Sequence, residues 1–174
     1  EGQGRDVQRL AHVRAAVAPV AAEEASPLLL SDAEMQQFVA TGFLVLPLGQ
    51  DGGDGISHRE IHREARRLWK SRGETSGAGL GNNIYPAIPQ LGEVMGSRRV
   101  DGALRSLLGP GYTMNAHRHM HNSTTQGQQG FHKDSQRGKP PNHLPRSCFV
   151  FYFPAGCTEA MGPTEIVPSS QFLS

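Results

Sequence analysis

The sequence predicts an α+β protein in which helices come first and a sandwich or barrel of short strands follows. Helix start signals recur up to Gly109, where capping residues precede apolar residues at helical spacing. From Tyr112 onward, short segments of alternating or wholly apolar side chains are typical of closely spaced strands. We therefore expect a peripheral helix and linker over residues 1–30, helices over residues 31–109 and a β-core over residues 112–174.

Size and charge exclude several classes of protein. The chain has 174 residues, which suits one domain with a core of its own. It carries 17 basic and 16 acidic side chains, so its net charge of +1 creates no field that would recruit nucleic acid or an anionic membrane. No apolar run is long enough to span a bilayer. Its two cysteines have no zinc-like spacing, so we expect free thiols and an intracellular, cytoplasmic location.

The predicted helices have defined ends. Ser31 and Glu34 have the spacing of a capping box, and Gly42 is suited to a left-handed helix stop. The same spacing recurs at Ser57 and Glu60, and Ser97 is a further capping residue. We expect three helices, which run from about Asp32 to Thr41, from Ser57 to near Gly73, and from Ser97 to Gly109.

The predicted strands differ in how their side chains are distributed. Residues 147–153 have apolar side chains on both faces and should form the central strand. Residues 112–121 alternate so that polar side chains share one face, which suits a strand lining a polar cavity. Shorter strands are expected over residues 43–46, around the His132 motif and over residues 164–167. The polar face of the strand predicted over residues 112–121 carries Asn115, His117, His119 and His121.

The segment Phe131-His132-Lys133-Asp134 carries the clearest chemistry. In an extended chain, His132 and Asp134 project to one side while Lys133 points to the other. One imidazole and one carboxylate then converge, which supplies two of the three ligands in the 2-His-1-carboxylate set that binds non-haem Fe(II). We expect His132 and Asp134 to be metal ligands and catalytic residues.

Five segments, in this order, carry a resemblance to a known family. They are residues 31–38, residues 42–45, His132-Lys133-Asp134, residues 151–154 and the run Gly162-Pro163-Thr164 to Gln171. Together they resemble the phytanoyl-CoA dioxygenase family of Fe(II)/2-oxoglutarate-dependent oxygenases. The chain departs from the family at residues 169–171, where Ser-Ser-Gln stands in place of the usual Gly-Ser-His.

The resemblance implies a fold and a reaction. The fold would be a double-stranded β-helix, a jelly-roll and cupin-like core preceded by helices, here incomplete at its C-terminal end. The reaction would use Fe(II), 2-oxoglutarate and O2 to hydroxylate a small organic or acyl substrate, with His132 and Asp134 as the first two iron ligands. In the family, a distal histidine ligand and an arginine for 2-oxoglutarate come later in the chain. We therefore expect this chain to be inactive alone.

Other histidines leave alternatives open. Asn115, His117 and His119 are candidates to line the cofactor site or to orient a ligand. Gly111, His117 and His119 also match the opening of a cupin metal signature, but Ser123 and Thr124 stand where a glutamate is needed. Two further interpretations are a non-catalytic jelly-roll binding module and a histidine-based metal-binding domain that uses His117, His119 and His121.

Overall fold

The computed structural model describes residues 26–47, 49, 54–71, 83–121, 130–132, 145 and 147–172. The peripheral helix predicted within residues 1–30 lies outside these ranges, apart from residues 26–30. Within them the chain forms four α-helices and two 3₁₀ turns: α1 (Asp32–Thr41), α2 (His58–Ser71), α3 (Leu91–Gly96), α4 (Arg98–Leu108), and turns at Glu159–Met161 and Ser170–Phe172. No helix in these ranges is both long and apolar enough to cross a membrane.

The predicted double-stranded β-helix is wrong for the described part of the chain. No strand of a sheet forms there, and the strand pairing consists of one isolated parallel bridge between Asn83 and Arg118. Residues 147–153 do not form a central strand, because Phe149, Phe151 and Phe153 are 63%, 55% and 55% exposed. A strand exists only through backbone bonds to a neighbour, which an alternating sequence does not itself supply.

The shorter predicted strands fail in the same way. Residues 43–46 are not paired, and Val45 is 76% exposed where a buried strand was expected. Residues 164–167 also lack a ladder, and both Ile166 and Val167 are exposed. Of the predicted strand over residues 112–121, only Arg118 takes part in a bridge. The β-core expected over residues 112–174 is therefore not formed by the described residues.

Helix α1 confirms the predicted capping box. The Ser31 hydroxyl accepts a hydrogen bond from the Glu34 amide, and the Glu34 carboxylate accepts one from the Ser31 amide at 2.8 Å. At the other end, Gly42 adopts φ 86° and donates its amide to Phe38, as a left-handed stop requires. The Glu34 carboxylate also pairs with Arg99 of α4, so one side chain caps one helix and ties it to another.

A close backbone approach joins residues 26–30 to α4. The Leu28 amide donates to the Arg98 carbonyl at 2.9 Å, and the Leu30 amide donates to the Ser106 hydroxyl at 3.0 Å. Gly102 lies beneath this crossing, where a Cβ atom would overlap the backbone carbonyl of Leu28. Glycine at this position therefore decides how closely the segment and the helix can pack.

The core of the described residues is a small aliphatic cluster. It contains five buried side chains, which are Ile56, Ile61, Ile84, Ile88 and Val94. Burial of each such side chain stabilises a fold by roughly 1.5–3 kcal/mol. Met120 and Tyr152 pack against the cluster from later parts of the chain and are half-buried. We call this group the aliphatic cluster.

Helix α3 was absent from the sequence prediction. Its first flanking residue, Gln90, makes no side-chain cap, so the sequence carries no start signal there. Only tertiary packing marks the segment, because Val94 is 1% exposed within the aliphatic cluster. The predicted cap of α4 is confirmed, since the Ser97 hydroxyl accepts from the Val100 amide at 3.4 Å.

Substitution of Gly102 tests the close approach. In Gly102→Ala the new methyl group meets the Leu28 backbone, which is not a flexible chain end, so we expect destabilisation by about 1–3 kcal/mol. Gly92→Ala is the matched control, because open space surrounds Gly92 in α3 and alanine should gain about 0.5–1 kcal/mol there. Urea unfolding of both variants measures the difference, and equal midpoints would contradict the crossing.

Acid unfolding tests the role of Glu34. The hydrogen bond from Arg99, followed by those from Ser31, lowers the pKa of Glu34 from 4.5 to about 2. Its contribution is therefore complete above pH 4.5 and disappears as the pH falls towards 2. We expect Glu34→Gln to flatten the pH dependence of unfolding in this window. Glu60→Gln, which removes an exposed pair with Arg63, should keep the wild-type slope.

Candidate functional site

The ring of His132 is exposed and has a defined tautomer. Its Nδ1 atom lies 2.9 Å from the carbonyl oxygen of Gly130. A carbonyl only accepts hydrogen bonds, so Nδ1 carries the proton and the lone pair of the neutral ring is on Nε2. Metal-ligating histidines commonly have this arrangement, because a backbone carbonyl at one ring nitrogen orients the other. Lys133 and Asp134 lie outside the described residues, so the position of the predicted carboxylate ligand is not defined.

Three of the predicted site residues come together in the segment that precedes this motif. The rings of His117 and His119 are 4.2 Å apart between centroids, and those of His119 and His121 are 4.3 Å apart. Both pairs meet edge to face, and Nε2 of His119 contacts Nε2 of His121. The shared face that alternation predicted is therefore present, although the strand is not. We call these three residues the histidine row.

Asn115 does not join the histidine row. Its side-chain oxygen accepts a hydrogen bond from the backbone amide of His117 at 3.2 Å, which closes a local turn. Asn side chains commonly bond the backbone two residues on in this way. The predicted cofactor-binding role of Asn115 stays a prediction, since the turn already uses its amide oxygen.

The opposite face of this segment fixes it to the rest of the protein. The Ile84 amide donates to the Arg118 carbonyl at 2.8 Å, and the Arg118 guanidinium lies 4.7 Å from the centre of the Tyr85 ring. Met120 packs against the aliphatic cluster. Because side chains alternate along an extended backbone, these anchors direct the histidines away from the core.

Proximity changes the protonation of the histidine row. Partial burial, then the charges that His121 and His117 would carry, lower the pKa of His119. Each cause disfavours the imidazolium form, burial by removing water and the neighbours by like-charge repulsion. Protonation of His119 is therefore less favourable than that of an isolated histidine.

A second cluster, which the sequence did not predict, connects α2 to the aromatic segment 147–153. His58 is buried, with its Nδ1 atom 2.7 Å from the Tyr152 hydroxyl and its Nε2 atom 3.2 Å from an Asp54 carboxylate oxygen. The carboxylate must accept, so Nε2 carries the proton and Nδ1 of the neutral ring accepts from the tyrosine. The hydrogen bonds thus run in one direction, from Tyr152 to His58 to Asp54.

Sequence reasoning missed this cluster for a clear reason. Tyr152 comes 94 residues after His58, and no local spacing relates the two. The only local signal is that Asp54 precedes His58 by four residues, which is common on exposed surfaces. The contact positions residues 147–153 against α2, beside the aliphatic cluster.

The segment over residues 162–171 caps helix α1. The Ser169 amide donates to the Thr41 carbonyl at 2.8 Å, and its hydroxyl donates to the Ala40 carbonyl at 2.8 Å. The side chain of Gln171 donates to the Val39 carbonyl at 2.9 Å. These bonds satisfy carbonyls that the last turn of a helix leaves unpaired. Residues 162–171 therefore lie against the C-terminal end of α1.

Ser169 has an unusual backbone conformation. Its φ is 63°, and among the described residues it is the one non-glycine residue with positive φ. Residues with a side chain rarely adopt this region, whereas glycine enters it freely. The family that this sequence resembles usually has glycine at this position.

Two further features of the described residues add no chemical group to the candidate site. Across the ranges that the structure describes, no group of three or more His, Cys, Asp or Glu residues is arranged to hold a metal ion. An open hollow on α1 has an apolar lining and contains no titratable group, so it suggests no chemistry. Its lining residues are Met35, Gln36, Val39, Ala40 and Phe172.

Comparisons of the chain with protein-family models, with curated proteins and with solved structures gave no match. The resemblance therefore depends on the segments of this sequence alone.

Substitution of Ser169 separates backbone strain from hydrogen bonding. Ser169→Ala and Ser169→Gly both lose the bond to Ala40, but only glycine adopts φ 63° without strain. We expect the glycine variant to be more stable than the alanine variant by about 1 kcal/mol. Thermal and urea unfolding measure the difference, and an alanine variant as stable as the glycine variant would show that the residue is not strained.

Proposed function

We propose that this protein acts as an Fe(II)/2-oxoglutarate-dependent dioxygenase on a small organic or acyl substrate. The observation that carries the proposal is the state of His132 within its His-x-Asp motif. Nδ1 donates its proton to the Gly130 carbonyl, so in the neutral ring Nε2 is the nitrogen that would coordinate a metal.

The donor types fit non-haem iron. An imidazole and a carboxylate are two members of the 2-His-1-carboxylate set, so His132 and Asp134 would hold the metal. Iron at such a site uses 2-oxoglutarate as the reductant for O2 and so supplies the oxidant for hydroxylation. A third ligand is not identified, because the described residues contain no set of three metal-binding groups.

A second observation supports the family resemblance on which the co-substrate depends. Ser169 adopts a left-handed conformation at the position where the family usually has glycine. The backbone of this segment thus has the conformation that glycine favours, although the residue itself differs. The segment over residues 162–171 also contacts the end of α1 through Thr41 and Val39, which lie between two of the resembling segments, residues 31–38 and 42–45.

Several residues of the chain have roles in this proposal. Gly130 orients His132 through its carbonyl. The hydrogen bonds from Tyr152 through His58 to Asp54 hold the aromatic segment against α2. His117 has an exposed ring that can contact a co-substrate or substrate, and His119 is its half-buried neighbour. No observation favours the non-catalytic binding module.

Anaerobic titration with Fe(II) and 2-oxoglutarate tests the proposed function. The co-substrate chelates iron at such a site, and the complex has a metal-to-ligand charge-transfer absorption that imidazole ligands alone do not produce. Formation of the complex does not require turnover, so at saturating Fe(II) and 2-oxoglutarate we expect this absorption from the wild-type protein and its loss in His132→Ala and Asp134→Ala. His62→Ala, in the middle of α2, is the matched histidine control and should retain it.

Two results of this titration would contradict the proposal. If His132→Ala gives the same absorption as the wild-type protein, the metal ligand is misassigned. If the wild-type protein gives none while it is folded by circular dichroism, the dioxygenase proposal is wrong for this chain.

A further inference from the structure

The Nε2 atoms of His119 and His121 face one another in direct contact. Two neutral imidazoles satisfy this arrangement only if one ring donates its Nε2 proton to the lone pair of the other. A cation bound between the two Nε2 atoms would take the place of this shared proton.

The surrounding structure holds the two rings in place. Residues on the alternate positions, Arg118 and Met120, are fixed by the Ile84 amide, by the Tyr85 ring and by the aliphatic cluster. The backbone that carries His119 and His121 is thus anchored on its other face. Ligands that are already positioned lose less conformational entropy when a metal binds.

We propose that His119 and His121 form a chelating pair for a divalent transition-metal ion of the zinc, nickel and copper class. Imidazole ligands suit these ions, and their affinities exceed that of Fe(II) in the usual order of divalent metals. Water completes the coordination, because no third side chain within the described ranges converges on the pair. His117 contacts the edge of the His119 ring and is a neighbour of the site, not a ligand.

This site does not depend on the proposed function. It uses residues that precede the His132 motif in the chain, and its ligands are two imidazoles without a carboxylate. A protein that fails to form the Fe(II)–2-oxoglutarate complex can still bind zinc at His119 and His121. A protein that forms the Fe(II)–2-oxoglutarate complex can equally lack the zinc site, so the two proposals are tested separately.

Zinc titration of the purified protein, in competition with a chromophoric chelator, tests the site. Removal of one ring converts a chelate into a single contact, so we expect His119→Ala and His121→Ala each to weaken zinc binding by about a hundredfold or more. His117→Ala, from the same row, and His62→Ala, in α2, should bind as the wild-type protein does. His121→Cys, which keeps a donor atom, should retain binding where His121→Asn loses it.

Copper provides an independent measurement. Electron paramagnetic resonance of the protein with one equivalent of Cu(II) should show coupling to two imidazole nitrogens, and to one in His121→Ala. The proposal is overturned if both single alanine variants bind zinc with wild-type affinity, if His117→Ala loses binding as fully as they do, or if the wild-type protein binds no zinc. Circular dichroism of each variant establishes that a loss of binding is not a loss of folding.

Discussion

Burial of the aliphatic cluster positions both the histidine row and the hydrogen bond between His58 and Tyr152. The cluster joins α2 to the turn over residues 84–88 and to α3, and two later segments pack against it. Met120 anchors the segment that carries the histidine row, and Tyr152 anchors the aromatic segment beside His58. Because hydrophobic burial has no direction of its own, hydrogen bonds such as that from Ile84 to Arg118 then fix the register.

In the part of the chain that the structure describes, alternation of side chains persists without a sheet. The histidine row stays on one side while Arg118 and Met120 occupy the other. Phe149 and Phe151 likewise lie on one side, with ring centroids 6.3 Å apart. Alternation is a property of an extended backbone, whereas a sheet also requires partners at hydrogen-bonding distance. The pattern therefore predicted which side chains meet, even where it predicted the wrong fold.

The proposed chemistry and the described fold depend on different parts of the structure. The tautomer of His132 and the conformation of Ser169 are local facts, and the proposed function draws on both. The exposed apolar side chains of residues 147–153 and 164–167 do not agree with a closed β-core. Large apolar side chains at the surface ordinarily mark segments that pack against something else. The contact of residues 162–171 with α1 shows one such packing, made through polar groups.

The sequence by itself determined the local features. The capping box at Ser31, the stop at Gly42 and the cap at Ser97 are decided by contacts within four residues, and each is present as predicted. The grouping of His117, His119 and His121 follows equally from the two-residue period of extended backbone. These features need no knowledge of distant partners.

Only the tertiary structure decided the rest. Helix α3 has no capping side chain and forms where Val94 is buried, and the hydrogen bond between His58 and Tyr152 joins residues 94 positions apart. The absence of a sheet from the described ranges is also a tertiary outcome, because it depends on which backbone groups find partners. Contacts between distant residues depend on how the whole chain packs, and no periodicity within one segment encodes them.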